Sequence, residues 1–168
     1  MDGHKVRIHR KLVDDFPCFK GETQTSVSAA VLRDIAADAE AALEWSSANV
    51  TEGVELARTQ NYIDYYQYLN IPIFSDRYWF LRGYREIEGN RLFFRWEKLE
   101  NGGPHSEYYK EIQRKYPSAE ETLINLGAWV FITEEKHTKI EYYICTHPGG
   151  SVPSVFQSIG TEQTLPNN

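Results

Sequence analysis

The stretch KIEYYICTHPGGSVPSVFQS, Lys139 to Ser158, decides the fold. In its first half Ile140, Tyr142 and Ile144 fall on one side of an extended chain, the period-two pattern of a half-buried strand. In its second half Val152, Val155 and Phe156, with Ile159 just beyond, take the spacing of one helical face. Between them, Pro148-Gly149-Gly150 is read either as a cradle for a phosphate or as a turn. A phosphate loop needs a lysine or a G-x-G-x-x-G spacing, and this stretch has neither. Glycines that reach positive φ, followed by Pro153 in the first turn of a helix, are enough to make it a strand-to-helix hinge.

Working outward, strand signals dominate. KVRIHRKL alternates Val6, Ile8 and Leu12 against Lys5, Arg7 and Lys11, and FPCFKGETQT follows as its antiparallel partner. The run from Ser26 to Trp45 reads as two short helices, with Ser26 or Ser28 as cap and Val31, Leu32 and Ile35 at helical spacing. From Val50 about six strands follow, among them RYWFLRGYREI and RLFFRWEKL, which Glu88-Gly89-Asn90 joins as a tight hairpin. ENGGPHSEYYKEIQRKYPSAEE interrupts them as a loop carrying one or two helical turns, with Tyr108, Ile112 and Tyr116 four apart. Short connections between consecutive strands predict an antiparallel sheet and an α+β class.

The 168 residues suit one domain, 1–168, with an insertion at 100–118. A formal charge of −6 without clustered Lys and Arg argues against a nucleic-acid partner. No apolar run approaches the roughly 20 residues of a membrane helix, and MDGHKVRIHR lacks the apolar core of a signal peptide. The expectation is a soluble chain, cytoplasmic or periplasmic. Cys18 and Cys145 lie in separate strand-like runs and are expected as two buried free thiols.

Candidate chemistry is sparse. The five histidines are scattered without an i, i+4 pair, so neither a metal nor any other cofactor is expected. No G-x-S-x-G elbow occurs, and Asp14-Asp15 and Glu134-Glu135 sit in turn-like positions. Only His147, at a strand end beside the hinge, is placed for proton chemistry. The aromatic strands say more. Leu92, Phe94 and Trp96 share one face of their strand, so one face of the sheet is heavily apolar: either a filled core beneath a helix or the wall of a cavity for an apolar ligand.

Three stretches resemble the START lipid-transfer domains, particularly the bacterial ones: Val31 to Trp45, Tyr65 to Arg85 and Gly127 to Ser158. The matching positions are Tyr66, Gln67, Pro72, Ser75, Arg77, Gly127, Trp129, Thr138, Tyr142, Pro148, Gly149, Gly150 and Pro153. Tyr78 and His147 stand where that family usually has Asp. The resemblance implies the helix-grip fold, a curved antiparallel sheet packed around a C-terminal helix, with a tunnel between them. It also implies binding, and transfer, of a lipid-like apolar molecule, with transient membrane contact. Relatives in the wider superfamily cyclise polyketides in the same cavity, so a cyclase or hydratase is the alternative, with a scaffold around a filled core as a third reading. No catalytic residue is assigned, and a binding module is favoured over an enzyme. The expected wall is Tyr66, Tyr68, Phe80, Leu92, Phe94, Trp96, Trp129, Tyr142, Ile144, Phe156 and Ile159, with Gln67 and Arg82 as candidates to orient a polar head. Because Pro166 stops the last helix after about three turns, that helix is expected to be truncated.

Overall fold

A computed structural model describes residues 6–13, 16–46, 49–71 and 74–147. Among the described residues nine strands form one sheet: β1 (Arg7–Val13), β2 (Phe16–Thr25), β3 (Val50–Arg58), β4 (Tyr62–Leu69), β5 (Arg77–Glu88), β6 (Arg91–Lys98), β7 (Glu120–Glu121), β8 (Ile124–Thr133) and β9 (Thr138–His147). The spatial order is β1-β2-β9-β8-β6-β5-β4-β3, and every pair along it is antiparallel; the two-residue β7 adds a short parallel bridge to β5. Helices α1 (Ala29–Ala36) and α2 (Ala42–Trp45) carry the chain from β2 to the far edge at β3. The insertion forms a 3₁₀ segment, Glu100–His105, broken by positive φ at Asn101, Gly102 and Gly103, and a ten-residue helix α3, Ser106–Lys115, longer than the turn or two read from sequence. The hinge at 148–150 and the C-terminal helix expected after it lie outside the described residues.

The hairpin between β5 and β6 turns where expected, with Glu88 opposite Arg91 and Gly89 at φ 60°, a left-handed conformation that a side chain would strain. Elsewhere the sheet sorts its side chains by parity. The inner face, on which α1 and the α1–α2 link pack, gathers Phe19, Ile63, Tyr65, Leu81, Phe94, Trp96 and Ile144 with Ala37 and Ala39. The outer face of β4 and β5 gathers Tyr66, Tyr68, Tyr78 and Phe80 beneath Ile112, Tyr108 and Tyr109 of α3. These two strands are thus buried on both sides, which explains why YIDYYQYL contains no exposed position.

The outer face of β2 and β9 is polar instead. Glu22 and Glu141 are directly opposite, a like-charge pair that would repel. Lys20 lies 3.0 Å from Glu22 and 3.2 Å from Glu141, and Lys139 lies 3.1 and 2.7 Å from the same two carboxylates. Hydrogen bonds from Lys20 and Lys139 lower the Glu22 pKa to about 2. A carboxyl depressed in the folded state stabilises the fold above its unfolded pKa and loses that contribution as pH falls through the folded value. Melting temperature is therefore expected to hold above pH 4.5, near the usual carboxyl value, and to decline between there and about pH 2. Glu22→Gln should flatten that decline in a pH series of thermal melts.

One expectation is corrected. Cys18 and Cys145 are not free thiols but form a disulfide across β2 and β9, where they are register partners with a Cα–Cα distance of 4.3 Å. Nothing near either cysteine in the sequence announces this, because they are 127 residues apart and meet only when the second strand pairs with the last. A cross-link closing so long a loop restricts the unfolded chain strongly, and its loss is expected to cost roughly 2–5 kcal/mol. Thiol titration of the unreduced, denatured protein should find no free cysteine, and Cys18→Ser with Cys145→Ser should lower the melting temperature to that of the reduced wild type.

Candidate functional site

The inner face is the candidate site. Register brings its residues together from strands far apart in sequence: Phe94 opposite Trp129, Trp129 opposite Tyr142, and Ile144 opposite both Gly127 and Phe19. The rings form a continuous arc. Tyr65 and Phe94 have centroids 6.2 Å apart, Phe94 and Trp96 6.2 Å, Trp96 and Tyr142 5.8 Å, and Tyr142 and Trp129 4.2 Å; Trp45 of α2 meets the Trp129 ring edge-on at 6.0 Å. Such offset and edge-on contacts suit the aromatic quadrupole. Gly127 makes the arc possible, since a Cβ there would stand 2.4 Å from the Trp96 ring and 2.3 Å from the Tyr143 carbonyl oxygen.

Two indoles on this face are satisfied internally: Trp79 Nε1 donates to Gln67 Oε1 at 2.9 Å and Trp96 Nε1 to Asn125 Oδ1 at 2.9 Å. Arg77 is buried and donates to the carbonyls of Ser75 and Asp76. Burial pushes the phenol pKa of Tyr65 and of Tyr142 well up, so both remain neutral O–H groups at any physiological pH. Trp79, Trp129 and Tyr142 are only half-buried although each packs against the inner core.

The residues proposed from sequence divide between the faces. Leu92, Phe94, Trp96, Trp129, Tyr142, Ile144 and Gln67 are on the inner face, Gln67 with its side-chain oxygen engaged by Trp79. Tyr66, Tyr68 and Phe80 are on the outer face, where Tyr66 and Phe80 pack against Tyr108 at 5.6 and 6.1 Å and Tyr68 stacks on Tyr116 at 4.2 Å. Phe156 and Ile159 lie outside the described residues. The parity of β4 and β5 does separate the two sets, but both parities are apolar there, so the pattern alone does not say which set faces which layer. Tyr65, Trp79, Phe131 and Trp45 belong to the inner face and were not proposed. Their parity, the same as that of Gln67 and Leu81, was the available signal for Tyr65 and Trp79.

Arg82 also lies outside, in a buried charge cluster. It grips Asp64 through two hydrogen bonds of 2.6 and 2.8 Å and stacks over the Tyr62 ring at 3.8 Å, while His105 Nε2 stands 2.8 Å from the second Asp64 oxygen. Burial alone would raise the Asp64 pKa, but the hydrogen bonds and charges of Arg82 and His105 outweigh it and hold the carboxyl below its usual value. The cluster ties the 3₁₀ segment to the sheet. Removing one partner from a buried pair strands the other charge, so Arg82→Ala is expected to cost roughly 3–5 kcal/mol in denaturant unfolding. The affinity for any ligand of the inner face should be unchanged in the folded fraction.

Among the described residues no group of three or more His, Cys, Asp or Glu is arranged to hold a metal, and no helix is long and apolar enough to cross a membrane. No family model matches the chain, and no curated protein matches it in sequence. Solved structures do match. A STAR-related lipid transfer protein (fragment 25–204) from Xanthomonas axonopodis is 20% identical over 98% of this chain and 97% of that one, with a TM-score of 0.76. Human STARD10 is 18% identical over 99% of this chain and 69% of that one, at 0.75. The Zhui aromatase/cyclase from Streptomyces sp. R1128 is 11% identical over 95% and 85%, at 0.57. The chain has the START helix-grip fold.

Proposed function

We propose that this chain binds an apolar, lipid-like molecule against the inner face of the sheet and carries it between membranes. The observation that supports this is that Trp79, Trp129 and Tyr142 are only half-buried within a layer that otherwise packs tightly. A filled core would bury all three. Moving apolar ligand surface from water onto such a wall yields about 25 cal/mol per Å², so a few hundred Å² amount to several kcal/mol. The lipid transfer proteins that share the fold support the same reading. A cyclase or hydratase reading gains no separate support, since the polar side chains at the centre of this face are phenols and amides already described rather than a carboxylate–imidazole pair.

Of the two compartments open to the chain, the Cys18–Cys145 disulfide favours an oxidising one such as the periplasm, because a reducing cytosol keeps paired thiols apart. Native mass spectrometry of protein purified from its source cells, followed by lipid extraction, tests the function. A co-purifying apolar molecule is the expected result, and titration with it should alter tryptophan emission because Trp79, Trp96 and Trp129 line this face and Trp45 packs on Trp129. Empty protein whose emission ignores every lipid offered would leave the filled-core scaffold as the better reading.

A further inference from the structure

The two edges of the sheet differ. At one end of the strand order, β3 is interrupted by register shifts between Val50 and Glu52 and between Glu55 and Ala57, and its charges are committed, Glu55 to Arg58 and Glu52 to Lys115 at 2.8 Å. Edges broken in this way resist further pairing. At the other end, β1 pairs with β2 over its whole length, Arg7 to Val13, without a shift, and no described strand lies on its far side. All of β1 is exposed except Ile8, which packs against the inner core. Arg7, Arg10 and Lys11 are cations with no ion pair or hydrogen bond among the described residues, and the strand holds no acid. A straight, unbulged edge of this length is a template for another strand.

We propose that β1 is a docking edge for an extended acidic segment of another protein, which adds to the sheet as a further strand. The edge offers backbone N–H and C=O groups for a ladder, and Arg7, Arg10 and Lys11 select the side chains that stand across it. The same charges refuse a second copy of the chain: antiparallel pairing of β1 with β1 about its middle residue sets Arg10 against Arg10 and His9 against Lys11. The chain as a whole is acidic, at −6, but screening limits what a guest feels to about 10 Å at 0.1 M salt, roughly two strand spacings. Within that range Lys20 and Lys139 already match the carboxylates of Glu22 and Glu141, and His9 stands 3.1 Å from Glu22, so the cations of β1 set the local field. An anionic membrane would meet those cations but leave the backbone edge without a ladder. Leu12 and Val13, 59% and 43% exposed, end the strand, and Asp14 and Asp15 follow in sequence. The fitting guest therefore carries carboxylates across from Arg7, Arg10 and Lys11 and apolar residues across from Leu12 and Val13. This rim of the sheet works independently of any ligand on the inner face.

The test uses the full chain and fluorescence anisotropy of the peptide fluorescein-Val-Val-Glu-Glu-Thr-Val-Glu-amide, whose residues match an antiparallel run across Val13 to Arg7. Its controls are the same peptide with Lys for each Glu, and two forms methylated at every second backbone nitrogen, one in each phase, which keep the charge. Wild type is expected to bind the acidic peptide, more weakly as salt rises, and to ignore the lysine peptide. Methylation should weaken binding in the phase that faces β1 and spare it in the other. The double variant Arg10→Glu with Lys11→Glu should lose about tenfold in affinity for the acidic peptide, the size expected when two cross-strand attractions become repulsions, and should prefer the lysine peptide, which also shows that it is folded. Equal binding of both charge types, equal effects of the two methylated forms, or no binding of any peptide overturns the proposal. Vesicles of dioleoylphosphatidylglycerol that bind wild type but not the double variant, with the acidic peptide unbound, would assign the edge to a membrane surface instead. A dimer in sedimentation velocity that the double variant loses would assign it to a second copy.

Discussion

The packing of α3 onto the outer face of β4 and β5 is the constraint from which the rest of the molecule follows. Tyr66, Tyr68, Tyr78 and Phe80 project from that face, and without Tyr108, Tyr109, Ile112 and Tyr116 over them they would present a large aromatic patch to water. The helix covers them, and polar anchors hold it in register. Glu52 receives Tyr66, Tyr116 and Lys115, and hydrogen bonds from these groups hold its carboxyl below the usual value against the opposing effect of burial. Asp64, Arg82 and His105 fasten the 3₁₀ segment that leads into the helix. The insertion is therefore a second covering layer for the sheet.

That arrangement gives the faces of one sheet opposite chemistry. Outside, the hydroxyls of Tyr66, Tyr68, Tyr109 and Tyr116 donate to carboxylates of the chain. Inside, the amides of Gln67 and Asn125 accept from two indoles, while Trp45 Nε1 is buried without a partner among the described residues.

Alternation and turn chemistry in the sequence were enough to read the strands, the two helices before β3, the β5–β6 hairpin and the antiparallel sheet. The apolar parity of β6 and β9 was equally legible, since Leu92, Phe94 and Trp96, and Tyr142 and Ile144, all lie on the inner face as read. In β4 and β5 the same reasoning stopped short. Tyr65 and Tyr66 are adjacent, both aromatic and both buried, and which of them meets the ligand face depends on whether α1 or α3 covers it. Arg82 looked like a cavity cation because its partner Asp64, 18 residues earlier, is brought opposite only by the β4–β5 register.

By itself, then, the sequence determined the elements and the class of sheet, because period, turn residues and helix starts are local properties of the chain. Only the tertiary structure decided which face each aromatic side chain serves and that Cys18 and Cys145 are bonded. Those outcomes depend on contacts between segments far apart in the chain, 127 residues for the two cysteines, and local patterning carries no information about which distant segment will cover a face or stand across a ladder.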